Sequence, residues 1–122
     1  RDISPDAQIE YKDKHDSFFK EGYTIIKIKD TNLLQKIKNS NEWKNNNNEY
    51  TSKISGIMNN MSKEYNEINK IKNYYWIYKN NYKSNNIRYV EDMNNKNLEI
   101  NNYLVGIYDM DSDLLYYYHM DM

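Results

Sequence analysis

The chain has 122 residues, enough for at most one domain with a modest core. Its formal net charge at pH 7 is −1, so no long-range electrostatic field attracts nucleic acid or acidic membranes. The absence of cysteine excludes disulfides, cysteine-ligated zinc and a thiol nucleophile. No apolar run approaches the roughly 20 residues of a membrane-spanning helix.

The start of the chain is polar, and residues 1–16 form a lead-in that we expect to be extended or loosely helical. His15 lies there among charged residues, which is typical of a solvated surface histidine. Residues 17–22 then indicate the end of a short helix with Gly22 as its C-cap. The β-branched run at residues 23–28 predicts a strand.

Two helices are expected next. The first begins after Asp30 or Thr31 and buries Leu33, Leu34 and Ile37. The second follows Thr51 or Ser52 as N-cap and carries the clearest periodicity in the chain. Its apolar side chains fall on one helical stripe: Ile54, Ile57, Met58, Met61, Tyr65 and Ile68. This stripe predicts a long amphipathic helix packed along a sheet.

Two further strands are expected at residues 73–78 and 87–90, followed by a loop at residues 91–97. The aromatic run in the first of them, with Lys79 and Lys83 nearby, is a candidate for stacking nucleic-acid bases. The chain has no excess of basic residues, which disfavours nucleic-acid binding.

The terminal stretch, residues 98–122, carries the strongest functional signal. Two runs rich in Tyr, Leu, Val and Ile flank an acidic segment at residues 109–113, which predicts two strands joined by a tight loop. The second strand ends in His119 and Asp121. Residues two apart on a strand point to the same face, so one divalent metal could bind both side chains. The alternative is a pair of polar residues on the exposed face of an edge strand.

The predicted fold class is α+β, with two helices packed on one face of a mainly antiparallel sheet. Residues 17–122 would form a single domain, because no repeat or linker divides them. The sequence begins with Arg1 and shows no signal peptide, so the compartment stays open.

The order of these elements resembles the N-terminal half of the Fe(II)- and 2-oxoglutarate-dependent dioxygenases. Residues 18–28 resemble the entry segment of phytanoyl-CoA hydroxylase-like and prolyl hydroxylase-like members, in which a helix end runs into the first strand. Residues 102–121 resemble the strand-loop-strand that precedes the metal ligands in prolyl and lysyl hydroxylases. The resemblance implies part of a double-stranded β-helix, or jelly roll.

The resemblance also implies a site. His119 and Asp121 would be two iron ligands of a 2-His-1-carboxylate set, and Tyr108 or Tyr103 would hydrogen-bond 2-oxoglutarate. Fe(II) and 2-oxoglutarate would be the cofactors of a C–H hydroxylation. The family's second histidine and the basic residue for 2-oxoglutarate come several strands later, so we expect a domain that is incomplete at its C-terminus. His15 lies in the wrong place in the order to replace the missing ligand.

A non-catalytic structural or interaction subunit is the second hypothesis. Asn, Lys, Ile and Tyr dominate the composition, as in an AT-rich genome, and a component of a virion or other large assembly is one example. The last strand, residues 114–121, would leave an exposed edge. Either the remaining polypeptide or a partner chain would cover it.

Overall fold

A computed structural model describes residues 7–15, 22–30, 32–80 and 102–121. The strands are β1 (Gln8–His15), β2 (Gly22–Lys29), β3 (Lys44–Asn45), β4 (Tyr74–Asn80), β5 (Tyr103–Asp109) and β6 (Leu114–Asp121). The helices are α1 (Leu33–Lys38) and α2 (Ser55–Met61), with short 3₁₀ turns at Thr51–Ile54 and Asn66–Lys70. The expected helix end at residues 17–21, the strand at 87–90 and the loop at 91–97 lie outside the described residues.

The strands of the described residues form one antiparallel sheet in the order β1-β2-β6-β5-β4-β3. This arrangement, with two helices, confirms the α+β class. The polar lead-in contains β1, which pairs along its whole length with β2. Among the described helices, none is long and apolar enough to cross a membrane.

The last strand lies in the middle of the sheet. β6 pairs with β2 along one edge and with β5 along the other. The prediction that residues 114–121 leave an exposed edge for a partner to cover is therefore wrong. The edge is covered by β2, a strand from the other end of the chain.

The predicted hairpin of β5 and β6 is confirmed, and its acidic loop closes it. The backbone N–H of Asp113 donates to the carbonyl oxygen of Asp109 at 2.9 Å. Asp113 adopts a left-handed conformation, with φ of 58°, which aspartate tolerates better than most residues. The Tyr108 hydroxyl donates to the Asp113 carboxylate at 2.7 Å. These bonds give the polar residues a structural role in the turn.

The helices lie on opposite faces of the sheet, so the prediction that both pack on one face is wrong. Neighbouring residues on a strand point to opposite faces. In β6, Tyr116 packs with the core beneath α2, whereas Leu115 packs with the core beneath α1. The α2 side is the larger core and includes Trp76, Tyr103 and Tyr118, all nearly fully buried.

The predicted long helix is also wrong, although its buried stripe is right. Ile54, Ile57 and Ile68 are buried as the periodicity requires. The segment is divided, however, into a 3₁₀ turn, the seven-residue α2 and a second 3₁₀ turn. The chain leaves the helix after Met61, and Tyr65 is extended, with φ of −130° and ψ of 93°. The Ser and Asn residues near this break favour local side-chain hydrogen bonds over helix.

Candidate functional site

The sheet register brings both histidines to one corner. β2 lies between β1 and β6, so His15, Gly22 and Asp121 form one row across three strands. Asp13 and His119 are the outer members of the neighbouring row, with Thr24 between them. The two rows are two residues apart along each strand, so their side chains share one face. It is the face that carries α1.

The predicted metal pair is adjacent, as the spacing of two residues on a strand requires. The His119 Nδ1 atom lies 3.6 Å from the Asp121 Oδ1 atom. The two side chains are 40% and 36% exposed, respectively. Both groups are therefore open to solvent while β6 fixes their relative positions.

His15 is a member of this cluster, and the prediction that it is a solvated surface residue is wrong. Its Nε2 atom lies 2.7 Å from Asp121 Oδ2, and its Nδ1 atom contacts the carboxylate of Asp13. The hydrogen bond to Asp13, and then that to Asp121, raise the pKa of His15 above its usual value of 6.5. An imidazolium that donates from both nitrogens satisfies both carboxylates.

Gly22 makes this contact across three strands feasible. Two strands of spacing separate β1 from β6, about 9.5 Å, so His15 and Asp121 must reach toward each other over β2. A side chain at the middle position would meet the backbone of β1, so a glycine there lets β1 and its His15 approach β2 closely. Its φ of +147° lies in a region that other residues rarely adopt. A Cβ there would lie 2.0 Å from the Lys14 carbonyl oxygen.

The two tyrosines expected to bind 2-oxoglutarate are not brought to the metal pair. Tyr103 is buried in the core on the α2 face, where its ring stacks on Tyr78 with centroids 6.0 Å apart. Tyr108 shares the α1 face but lies beside Leu115, about 20 Å along the sheet from Asp121. Burial and the hydrogen bond to Asp113 raise its pKa strongly.

The cluster is a chain of contacts rather than a closed metal shell. Asp13, His15, Asp121 and His119 touch in that order. Within the described ranges, no group of three or more His, Asp or Glu side chains is arranged to hold a metal ion. A metal ion beside His119 and Asp121 would therefore have two ligands from the described part of the chain.

Comparison with known proteins found no matching family model, no similar curated protein and no similar solved structure. A functional assignment therefore depends on the chemistry of the cluster itself.

His15 is hard to recognise from the sequence because its neighbours along the chain are charged. On a strand, Lys14 points to the opposite face from His15, so those neighbours do not describe its surroundings. The alternation of polar and apolar residues at residues 8–11 is the one available sign that this segment is a strand.

Proposed function

We propose that His119 and Asp121 bind one divalent transition-metal ion, and that the chain is the metal-bearing N-terminal part of an Fe(II)- and 2-oxoglutarate-dependent hydroxylase. The observation that carries the proposal is the separation of 3.6 Å between His119 Nδ1 and Asp121 Oδ1. Two ligand atoms about 2.1 Å from one ion, at right angles, lie roughly 3.0 Å apart. A small side-chain rotation makes up the difference.

The surroundings of Asp121 support the same assignment. His15 forms a hydrogen bond with the Oδ2 atom of Asp121. The Oδ1 atom of Asp121, on the side of His119, is left to bind a metal ion. Carboxylates that bind metals are usually hydrogen-bonded in this way, and the second bond fixes which oxygen faces the ion. Imidazole and carboxylate together are a donor set that suits iron.

The protein and its cofactors would have separate roles. Bound Fe(II), 2-oxoglutarate and O₂ would supply the oxidising chemistry of C–H hydroxylation. The described residues would hold the ion at the end of β6 and leave its remaining positions open. The double-stranded β-helix of this family has two sheets, of which the described sheet would be one. Both histidines of the sequence lie in the described part, so the second histidine ligand of this family would come from polypeptide outside these 122 residues, as would the 2-oxoglutarate anchor.

The test is metal binding by the full chain. Mn(II), a stable substitute for Fe(II), is titrated and followed by calorimetry and by its electron paramagnetic resonance signal. We expect Asp121→Asn and His119→Ala each to weaken binding at least about tenfold. Asp111→Asn is the matched control, because Asp111 is an exposed carboxylate in the β5–β6 loop, and it should leave binding unchanged. Wild-type affinity in both site variants would refute the proposal.

A further inference from the structure

The outer edge of β1 is the most exposed apolar feature of the described residues. β1 is eight residues long and pairs with β2 through one edge, while its other edge has no strand partner in the described part of the chain. Ile9 and Tyr11 are 56% and 67% exposed and are its exposed large hydrophobic residues. A long edge strand with apolar side chains is a template for pairing with another strand.

The two faces of β1 differ in character. Ile9 and Tyr11 lie on the α1 face, because Tyr11 pairs with Ile26. Glu10 and Lys12 lie on the α2 face, because Lys12 pairs with Ile25. The α1 face of the strand therefore carries the two exposed apolar side chains, with Asp13 and His15 beyond them, and the α2 face carries Glu10 between Gln8 and Lys12, followed by Lys14.

This pattern is self-complementary under twofold symmetry. Two copies of β1 can pair antiparallel about an axis perpendicular to the sheet that passes through Tyr11. Glu10 then lies opposite Lys12 of the partner subunit, and Lys12 lies opposite Glu10 of the partner subunit. On the other face, Tyr11 lies opposite Tyr11 of the partner subunit with Ile9 diagonal to it, and Ile9 lies opposite Asp13 of the partner subunit. Opposite charges and aromatic pairs directly across strands are both stabilising.

The charges also disfavour the neighbouring symmetric registers. An axis through residue 10 places Glu10 opposite Glu10 of the partner subunit. An axis through residue 12 places Lys12 opposite Lys12 of the partner subunit, although it also places Glu10 opposite Lys14 of the partner subunit. Like charges directly opposite each other are destabilising. Of the three registers, the one centred on Tyr11 pairs opposite charges and places no like charges opposite each other, so the sequence of β1 favours it.

We propose that β1 pairs with β1 of a second copy of this chain, in the register centred on Tyr11, so that one sheet continues through both copies. The interface is isologous, since each copy contributes the same surface. The pairing strand also carries Asp13 and His15 of the cluster, but it contains neither His119 nor Asp121, and the pairing does not depend on metal binding. A pairing limited to one strand edge is small, so the dimer is expected to be weak and dependent on concentration.

Disulfide trapping tests the register directly, because the chain contains no cysteine. In the proposed dimer, the two copies of residue 11 have Cα atoms about 5 Å apart, which is within the range for a disulfide. The two copies of residue 9 lie about 14 Å apart. Tyr11→Cys should therefore form a covalent dimer on mild oxidation at least about tenfold faster than Ile9→Cys. Equal rates for the two variants would overturn the proposed register.

Charge reversal tests the same pairing without cysteine. Sedimentation equilibrium of the wild-type chain should give a dimer, and Glu10→Lys should weaken it about tenfold by placing two pairs of like charges across the interface. Mixing Glu10→Lys with Lys12→Glu restores opposite charges at both positions, so the mixture should form heterodimers.

Lys12 also donates a hydrogen bond to the Glu64 carbonyl oxygen at 2.8 Å within its own chain, and Lys12→Glu removes this bond. Circular dichroism therefore checks that each variant is folded. If Lys12→Glu unfolds, the Glu10→Lys result decides alone. A wild-type chain that stays monomeric at about 1 mM would overturn the proposal, as would a Glu10→Lys variant that dimerises as tightly as wild type.

Discussion

Replacement of Gly22 by alanine is the sharpest test of how β1 meets β2. The added Cβ would lie 2.0 Å from the carbonyl oxygen of Lys14 and 2.6 Å from the Cα atom of His15. Both are backbone atoms, so no side-chain rotation relieves the overlap. The φ of +147° costs a non-glycine residue about 1–3 kcal/mol. Separating the two strands adds a penalty similar to that of overpacking, about 1–3 kcal/mol.

We therefore expect Gly22→Ala to lower the free energy of unfolding by about 3 kcal/mol, which corresponds to a fall of roughly 10 °C in Tm for a chain of this size. Chemical and thermal unfolding followed by circular dichroism measure the change. Gly56→Ala is the matched control. Gly56 is exposed within α2, where the same substitution should stabilise the protein by about 0.5–1 kcal/mol.

A second measurement links this variant to the cluster. Moving the end of β1 away from β2 should separate His15 from Asp121, so the pKa of His15 should fall toward 6.5 in an NMR titration of its ring protons. A Gly22→Ala protein with wild-type Tm and an unchanged pKa of His15 would show that β1 does not pack against β2 as described.

Four other perturbations have defined expected outcomes. The Gly106→Ala substitution places a Cβ 2.7–2.9 Å from two aromatic rings and an isoleucine methyl, and should cost about 1–3 kcal/mol in urea unfolding. In Trp76→Phe, loss of the 2.8 Å hydrogen bond from the indole to a threonine hydroxyl should cost about 1–3 kcal/mol by the same assay. For Tyr108→Phe, loss of its hydroxyl contact should lower stability by about 1 kcal/mol and leave Mn(II) affinity unchanged. The raised pKa of His15 contributes stability that is present below pH 6.5 and lost as pH rises through the raised value. The wild type should therefore lose more stability than Asp121→Asn between pH 6 and pH 9, as measured by unfolding at each pH.

The local parts of the fold are predictable from the sequence. β2 and the β5–β6 hairpin follow from β-branched and aromatic runs separated by turn residues, because these signals act within a few positions. The pair of His119 and Asp121 follows from the alternation of a single strand. Each of these features depends on residues that are neighbours in sequence.

The remaining features depend on distant parts of the chain. The contact between His15 and Asp121 spans 106 positions, and no local pattern encodes such a pairing. A helical stripe shows which face of a helix is buried, but not which face of the sheet it covers. The stripes of α1 and α2 therefore could not show that the two helices lie on opposite sides. The buried stripe from Ile54 to Ile68 is real, yet it does not reveal the break after Met61.

The central position of β6 has a consequence for how the protein is made. Lys29 pairs with Leu114, and Gly22 pairs with Asp121, so every contact between β2 and β6 joins residues roughly 90 positions apart. At a synthesis rate of about 5–20 residues per second, β1 and β2 wait for roughly 5–20 seconds before β6 emerges. A lone two-stranded hairpin is marginally stable in water. During synthesis, the apolar residues of β2 and β5 therefore stay without their β6 partner until β6 emerges. The sheet is completed when β6 pairs with both strands.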